Sequence, residues 1–285
     1  MPPILTTLLL SLGTALLAGL LPLAGRVATV GGALTLAVLA GLISGFGGWP
    51  WGGVVLALVV CLVTAGRYRR NDKAALAETI RRAQPITWID ATARLGWAAL
   101  LAIVFQRHYS PLGYAAFTGA IAASAADVLA TQFGLLSTQR PRLITTRRPA
   151  MAGTPGAISA LGTLAAIGAA WFIGLTGLAT QSLAAWLQDM PMGGAWAWLP
   201  VAALAGGMAG ALLDSLLAAT AQRVYYDPRR QEPSEYETDA NGLPNEPVRG
   251  WPWLTGEAID LVATAAGAAT TCALLTWLAH SLGHW

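Results

Sequence analysis

Five acidic residues stand inside or beside stretches that otherwise read as lipid-soluble: Asp90, Asp127, Asp214, Glu257 and Asp260. An ionisable group at membrane depth is costly, so each one needs a reason. Asp90 and Glu257 open apolar stretches, where an acid suits the positive end of a helix dipole and capping alone would account for it. Asp127 and Asp214 fall near the ends of theirs, where the same dipole opposes a negative charge, and they are the stronger candidates for chemistry. Carboxylates converging beside basic loops suit a magnesium–nucleotide site. Mg2+ takes one or two carboxylates together with phosphate oxygens, and Lys or Arg neutralises the remaining phosphate charge. A proton or ion path is the rival reading, but it would distribute acids through the bilayer depth, and four of the apolar stretches contain none.

A second chemical signal is the stretch STQRPRLITTRRPAMAGTPGAIS from Ser137 to Ser159. Arg140, Arg142, Arg147 and Arg148 bring charge, Thr145 and Thr146 bring hydroxyls, and the Gly153 to Gly156 turn leads into an apolar helix. A glycine-bearing loop entering a helix N-terminus offers backbone N–H groups to an anion. It is not a Walker A loop, because no Gly-Lys-Ser or Gly-Lys-Thr follows, and basic anchoring at a membrane surface explains the arginines almost as well.

The elements that must position these groups are set by composition. With 55% hydrophobic and 11% charged residues and a mean hydropathy of +0.55, the chain has too few charges to cover a soluble globule of 285 residues. The reading is all-α: a polytopic integral membrane helix bundle of about eight transmembrane helices, with six to nine as the range, forming one membrane domain over 1–285. The spans run roughly 4 to 24, 27 to 46, 50 to 66, 88 to 106, 111 to 133, 157 to 178, 195 to 219 and 257 to 280. The first has no basic stretch before it and reads as a retained span rather than a signal peptide. Abundant Gly and Ala favour close helix contact.

Arg and Lys gather in the loops 67–87, 134–156 and 220–256, with Arg26 on the same side and Arg107 opposite. The positive-inside rule makes those loops cytoplasmic and both termini external. All four carboxylate-bearing spans then present their acids at the cytoplasmic level. The net charge of +3 is spread over these loops and does not call for a nucleic acid. Residues 225 to 245, rich in Pro, Glu and Asp, read as a solvated loop. Trp49, Trp51, Trp196, Trp198, Trp251 and Trp253 flank span ends as an aromatic belt. Cys61 and Cys272 lack metal-ligand spacing and read as packing residues.

Several runs carry a resemblance. SAADVLATQFG from Ser124, PRLITT from Pro141, GTPGAISALGTLAA from Gly153 and GGMAGALLDSLLAATAQ from Gly206 are similar, in order, to signatures of the membrane family called domain of unknown function 92. That family includes transmembrane protein 19 and phytyl-phosphate kinase, and the match spans roughly residues 67 to 280. The resemblance implies a kinase that converts an isoprenoid monophosphate to the diphosphate with CTP or another nucleoside triphosphate. It places Asp127 and Asp214 at the acidic positions of the family. On that basis Asp127, Asp214 and Asp260 would hold Mg2+, and Arg142 with Lys73 or Arg82, aided by Thr145 and Gly153, would bind phosphate. The setting would be a bacterial inner membrane with the polar site toward the cytoplasm. The chain departs from the family pattern at Leu129 (usually Trp), Gln132 (usually Glu), and Asp90 and Asp260 (usually Asn). A lipid or small-anion transporter and a non-catalytic membrane scaffold stand as alternatives.

Overall fold

The computed structural model describes residues 4–74, 80, 84–105, 110–229, 231–239 and 241–281. Among them, eight helical segments are long and apolar enough to cross a membrane. In chain order the helices are α1 (Ile4–Ala24), α2 (Val30–Gly47), α3 (Trp49–Arg67), the short α4 (Arg70–Ala74), α5 (Trp88–Phe105), α6 (Pro111–Gly134), α7 (Ala160–Leu187), α8 (Leu199–Thr220, entered through a 3-10 turn at Gly194–Trp198) and α9 (Gly256–Ser281). Their limits follow the apolar stretches closely, with one exception. The sixth span was expected to stop at 178, where Thr180, Gln181 and Ser182 interrupt the apolar run, yet α7 continues to Leu187. The hydroxyls remove the reason to stop: Thr176 donates to the Phe172 carbonyl at 2.8 Å and Thr180 to that of Thr176 at 2.9 Å, so they are satisfied within the helix.

α6 is the axis of the bundle, with 89% of its apolar window buried, whereas α1 is peripheral at 17%. The sequence explains both. α6 is built largely from Ala, Gly and Ser and packs against α3, α5, α7, α8 and α9, while α1 turns Leu5, Leu8, Leu9 and Leu12 outward to the surface that lipid must cover. Gly210 on α8 lies where α6 and α9 meet. A Cβ there would stand 2.5 Å from the Ala123 Cβ on α6 and 2.8 Å from the Ala263 carbonyl oxygen on α9, so the three helices touch almost backbone to backbone.

The described parts of the segments between α3 and α5, α6 and α7, and α8 and α9 gather at one end, together with the α1–α2 turn, where Thr29 N–H donates to the Ile86 carbonyl at 2.9 Å. Two small antiparallel sheets form here. β1 (Arg142–Leu143) pairs with β2 (Ala157–Ile158), and β3 (Val224–Asp227) is flanked by β4 (Glu232–Ser234) and β5 (Glu246–Arg249). The second sheet corrects the reading of 225–245 as a loop without elements. Pro233 and Pro247 sit on the outer strands, where a missing N–H is tolerated. Asp239 closes the turn by accepting from the N–H groups of Asn241 and Leu243 at 2.8 Å. Arg249 donates to the Ala218 and Ala219 carbonyls and ties β5 to the end of α8.

The aromatic belt is also corrected in part. Trp51 and Trp196 are buried, not interfacial: Trp51 stacks on Phe117 with centroids 4.3 Å apart, and Trp196 meets Tyr114 edge-on at 5.7 Å. Trp251 and Trp253 are exposed and stack on each other at 5.3 Å.

Candidate functional site

α6 and α8 run toward the basic end and α9 starts there, so residues late in the first two and early in the third reach the same level. Asp127, Asp214 and Asp260 occupy those positions. One carboxylate oxygen of each lies within 4.8 Å of the other two, and all three side chains are buried. The backbone contact at Gly210, one turn from Asp214, is what lets the carriers approach this closely. α5 contributes Arg94, whose Nη2 lies 3.6 Å from Asp260 Oδ2. The guanidinium is itself buried, and its Nε and Nη1 make no hydrogen bond among the described residues.

Two cavities reach these groups. One, of about 110 Å3, is bounded by Asp127, Asp214, the turn from Gly153 to Gly156, and the first residues of α7. The other, of about 180 Å3, is bounded by Asp260, Asp90, Arg223, Glu237 and Glu257. Gln222 and Glu235 line both, and Gln222 Nε2 donates to Glu235 Oε1 at 3.1 Å, so this pair forms a common wall.

The glycine loop is held firmly. Gly156 has φ +79° and presses on α8, where a Cβ would overlap the backbone of Ala219. Ser159 caps α7 by accepting from Gly162 N–H at 3.1 Å. The positive end of a 28-residue helix thus borders the cavity that Asp127 and Asp214 enter from the other side. An anion bridged to the carboxylates by a hard divalent cation suits such a place. Buried carboxylate oxygens from three helices are the donor type such a cation takes.

The other residues singled out in the sequence are placed as follows. Gly153, with φ +85°, lines the smaller cavity. Lys73 is buried and lines neither cavity; its Nζ donates to the Ala65 carbonyl and to Gln132 Oε1, both at 2.7 Å, clasping α4 to α3 and α6. Burial pushes its ammonium down to about 8. Arg142 is exposed and donates to the Arg147 carbonyl at 3.2 Å; Thr145 is exposed, and neither lines the two cavities. Arg82 lies outside the described residues. Asp90 caps α5, accepting from Thr87 N–H at 2.8 Å and from Thr87 Oγ1 at 2.6 Å. Arg94, Gln222 and Glu235 were not singled out as site residues. Arg94 carried a usable signal, since a basic residue inside an apolar span raises the same question as an acidic one. Gln222 and Glu235 carried none, because their meeting depends on the small sheet.

A family model described as integral membrane protein DUF92 matches residues 13–268. An uncharacterized membrane protein of Methanocaldococcus jannaschii is 37% identical over 125 residues, which is 44% of this chain and 45% of that protein. Protein PGR of Arabidopsis thaliana is 41% identical over 100 residues, 34% of this chain and 33% of its own length. The chain therefore matches less than half the length of each of these curated relatives. No solved structure matches it.

Proposed function

The chain belongs to the DUF92 family of integral membrane proteins, and from that premise we propose that it transfers a phosphoryl group from CTP or another nucleoside triphosphate to an isoprenoid monophosphate of the phytyl or prenyl class, at the cytoplasmic end of the bundle. The observation that carries the proposal is the convergence of Asp127, Asp214 and Asp260 within 4.8 Å beside the glycine loop and α7. Those three carboxylates would hold Mg2+, which when bound supplies neutralisation of phosphate charge. The turn from Gly153 to Gly156 and the α7 N-terminus bind phosphate oxygens, while Arg94 orients Asp260. The Gln222–Glu235 pair lines both spaces and would set donor and acceptor on either side of it. Met208 and Leu212, which line the smaller cavity, give the isoprenoid tail an apolar route. In the reaction an oxygen of the acceptor phosphate bonds to the terminal phosphorus of the donor as the bond to the departing nucleoside diphosphate breaks. No covalent intermediate on the protein is required, so catalysis is positioning, charge neutralisation and exclusion of water.

The test is a membrane assay with labelled CTP and ATP against phytyl, geranylgeranyl and farnesyl phosphates. The wild type forms diphosphate, and Asp127→Asn and Asp214→Asn each abolish it. Full activity in both variants overturns the proposal. Nucleotide-independent movement of the isoprenyl phosphate across liposomes, with no diphosphate formed, would replace it with a carrier.

A further inference from the structure

The largest cavity of the three described lies at the other end of the bundle, away from every carboxylate discussed so far. Its volume is about 820 Å3, and it opens between the start of α1, the α2–α3 turn, the last two turns of α7 and the segment that follows α7. Its wall is mostly apolar: Leu10, Trp51, Leu187, Pro191, Met192 and Trp196 make up much of it. Among the described residues no Asp, Glu, Lys, Arg or His lines it.

Three largely buried side chains with a polar atom stand on this wall. Gln181 is only 5% exposed and lines the cavity, and among the described residues its carboxamide is not one of the fully buried groups; Trp51 and Trp196, each 7% exposed, line it beside Gln181. A carboxamide on an otherwise apolar cavity wall offers both a donor and an acceptor to whatever fills the cavity. The two tryptophans are fixed by the aromatic stack with Phe117 and Tyr114, which makes this wall preformed.

We propose that this cavity binds an uncharged lipid with an oxygen-bearing head, of the long-chain alcohol class, whose oxygen meets the Gln181 carboxamide while its chain lies against Trp51, Met192 and Leu187. A charged head is disfavoured because the described wall offers no counter-charge. A plain hydrocarbon would leave Gln181 unsatisfied. A lipid rather than a dissolved metabolite is indicated by access: α1 and α7 flank the cavity, and both carry outward leucines on the faces that lipid covers, among them Leu8, Leu12, Leu183 and Leu187. The volume falls in the range of sites that enclose most of a ligand. The inference concerns the opposite end from the carboxylates and does not rest on phosphoryl transfer.

The experiment uses the full chain in lipid nanodiscs and a photoreactive octadecanol bearing a diazirine and an alkyne, with the corresponding octadecanoic acid probe in parallel. Cross-links from the alcohol are expected in residues 181–192 and at the start of α1, and excess unlabelled octadecanol removes them. Gln181→Leu lowers the labelling about fivefold, the worth of one net hydrogen bond. Ala184→Trp, which fills the cavity from a position on its wall, abolishes it, and the acid probe labels weakly or not at all. The proposal is overturned by labelling spread evenly over the outward faces of the helices, by labelling that unlabelled octadecanol does not displace, or by equal labelling from the acid. The competition arm needs no variant, so it decides the matter even where a substitution prevents folding.

Discussion

Asp214→Asn is the most informative single change, because it separates a cation site from a set of acids that merely share a level. Two unit negative charges at 4.8 Å repel by about 3.5 kcal/mol at an effective dielectric constant of 20. Asp214 takes part in two of the three pairs, so the substitution deletes roughly 7 kcal/mol of repulsion before nearby cations are counted. In chelator, the variant is therefore expected to melt no lower than the wild type, although removal of a buried hydrogen-bonding group ordinarily destabilises by about 1–3 kcal/mol. With Mg2+ the order reverses. A ligand at one hundred times its dissociation constant stabilises by about 2.7 kcal/mol, and at about 2–4 °C per kcal/mol for a chain of this order of size the wild type gains about 5–10 °C. Asp214→Asn gains little or nothing. The assay is a thermal melt of purified protein in nanodiscs, with EDTA and with a Mg2+ titration, on wild type, Asp214→Asn and Asp127→Asn. An undiminished Mg2+ shift in both variants would show that the carboxylates do not hold the ion.

Three further outcomes follow from particular contacts. Arg94→Leu removes the guanidinium 3.6 Å from Asp260 and is expected to cost about 3–5 kcal/mol in chelator melts, with part of the loss recovered by Mg2+. Gly156→Ala places a methyl group into the backbone of Ala219 at a positive φ; a loss of at least about 3 kcal/mol and new proteolytic cleavage within 137–158 are expected, read by melting and by limited digestion. Lys73 gives a pH dependence. Its folded value of about 8 lies below the ordinary 10.5, so between those values the folded state binds fewer protons and stability rises with pH. Below about pH 8 the cost of burying the charge is fully present. Lys73→Met is expected to flatten melts between pH 8 and 10, and a slope equal to that of the wild type would place the titration elsewhere.

The spans were legible because about twenty apolar residues in a row admit few alternatives, and the approach of Asp127, Asp214 and Asp260 was legible because each sits at a definite distance from a span end. Features that depend on pairings distant in sequence were not. The end of α7 was missed because Thr180 and Ser182 look like a break, whereas a threonine that bonds back along its own helix is compatible with continuing it. Trp51 and Trp196 passed for belt residues because nothing local announces that Phe117 and Tyr114 will cover them. The three strands after α8 escaped because they hold few apolar residues, and β3 gains β5 as a neighbour only when residues twenty or more positions apart meet. Lys73 looked like a phosphate ligand for the reason any loop lysine does; its burial against Gln132 is a tertiary fact.

The wall made by Gln222 and Glu235 bears on the order of events in the proposed transfer. In the proposed transfer, two spaces on either side of this pair, one lined by Asp127 and Asp214 and the other by Asp260, would seat donor and acceptor together, so that neither would have to leave before the other arrived. Initial-rate plots for the proposed transfer should therefore intersect, as they do when a ternary complex precedes chemistry. The parallel lines of a substituted-enzyme scheme are not expected, and no isotope exchange between donor and nucleoside diphosphate should occur without the acceptor.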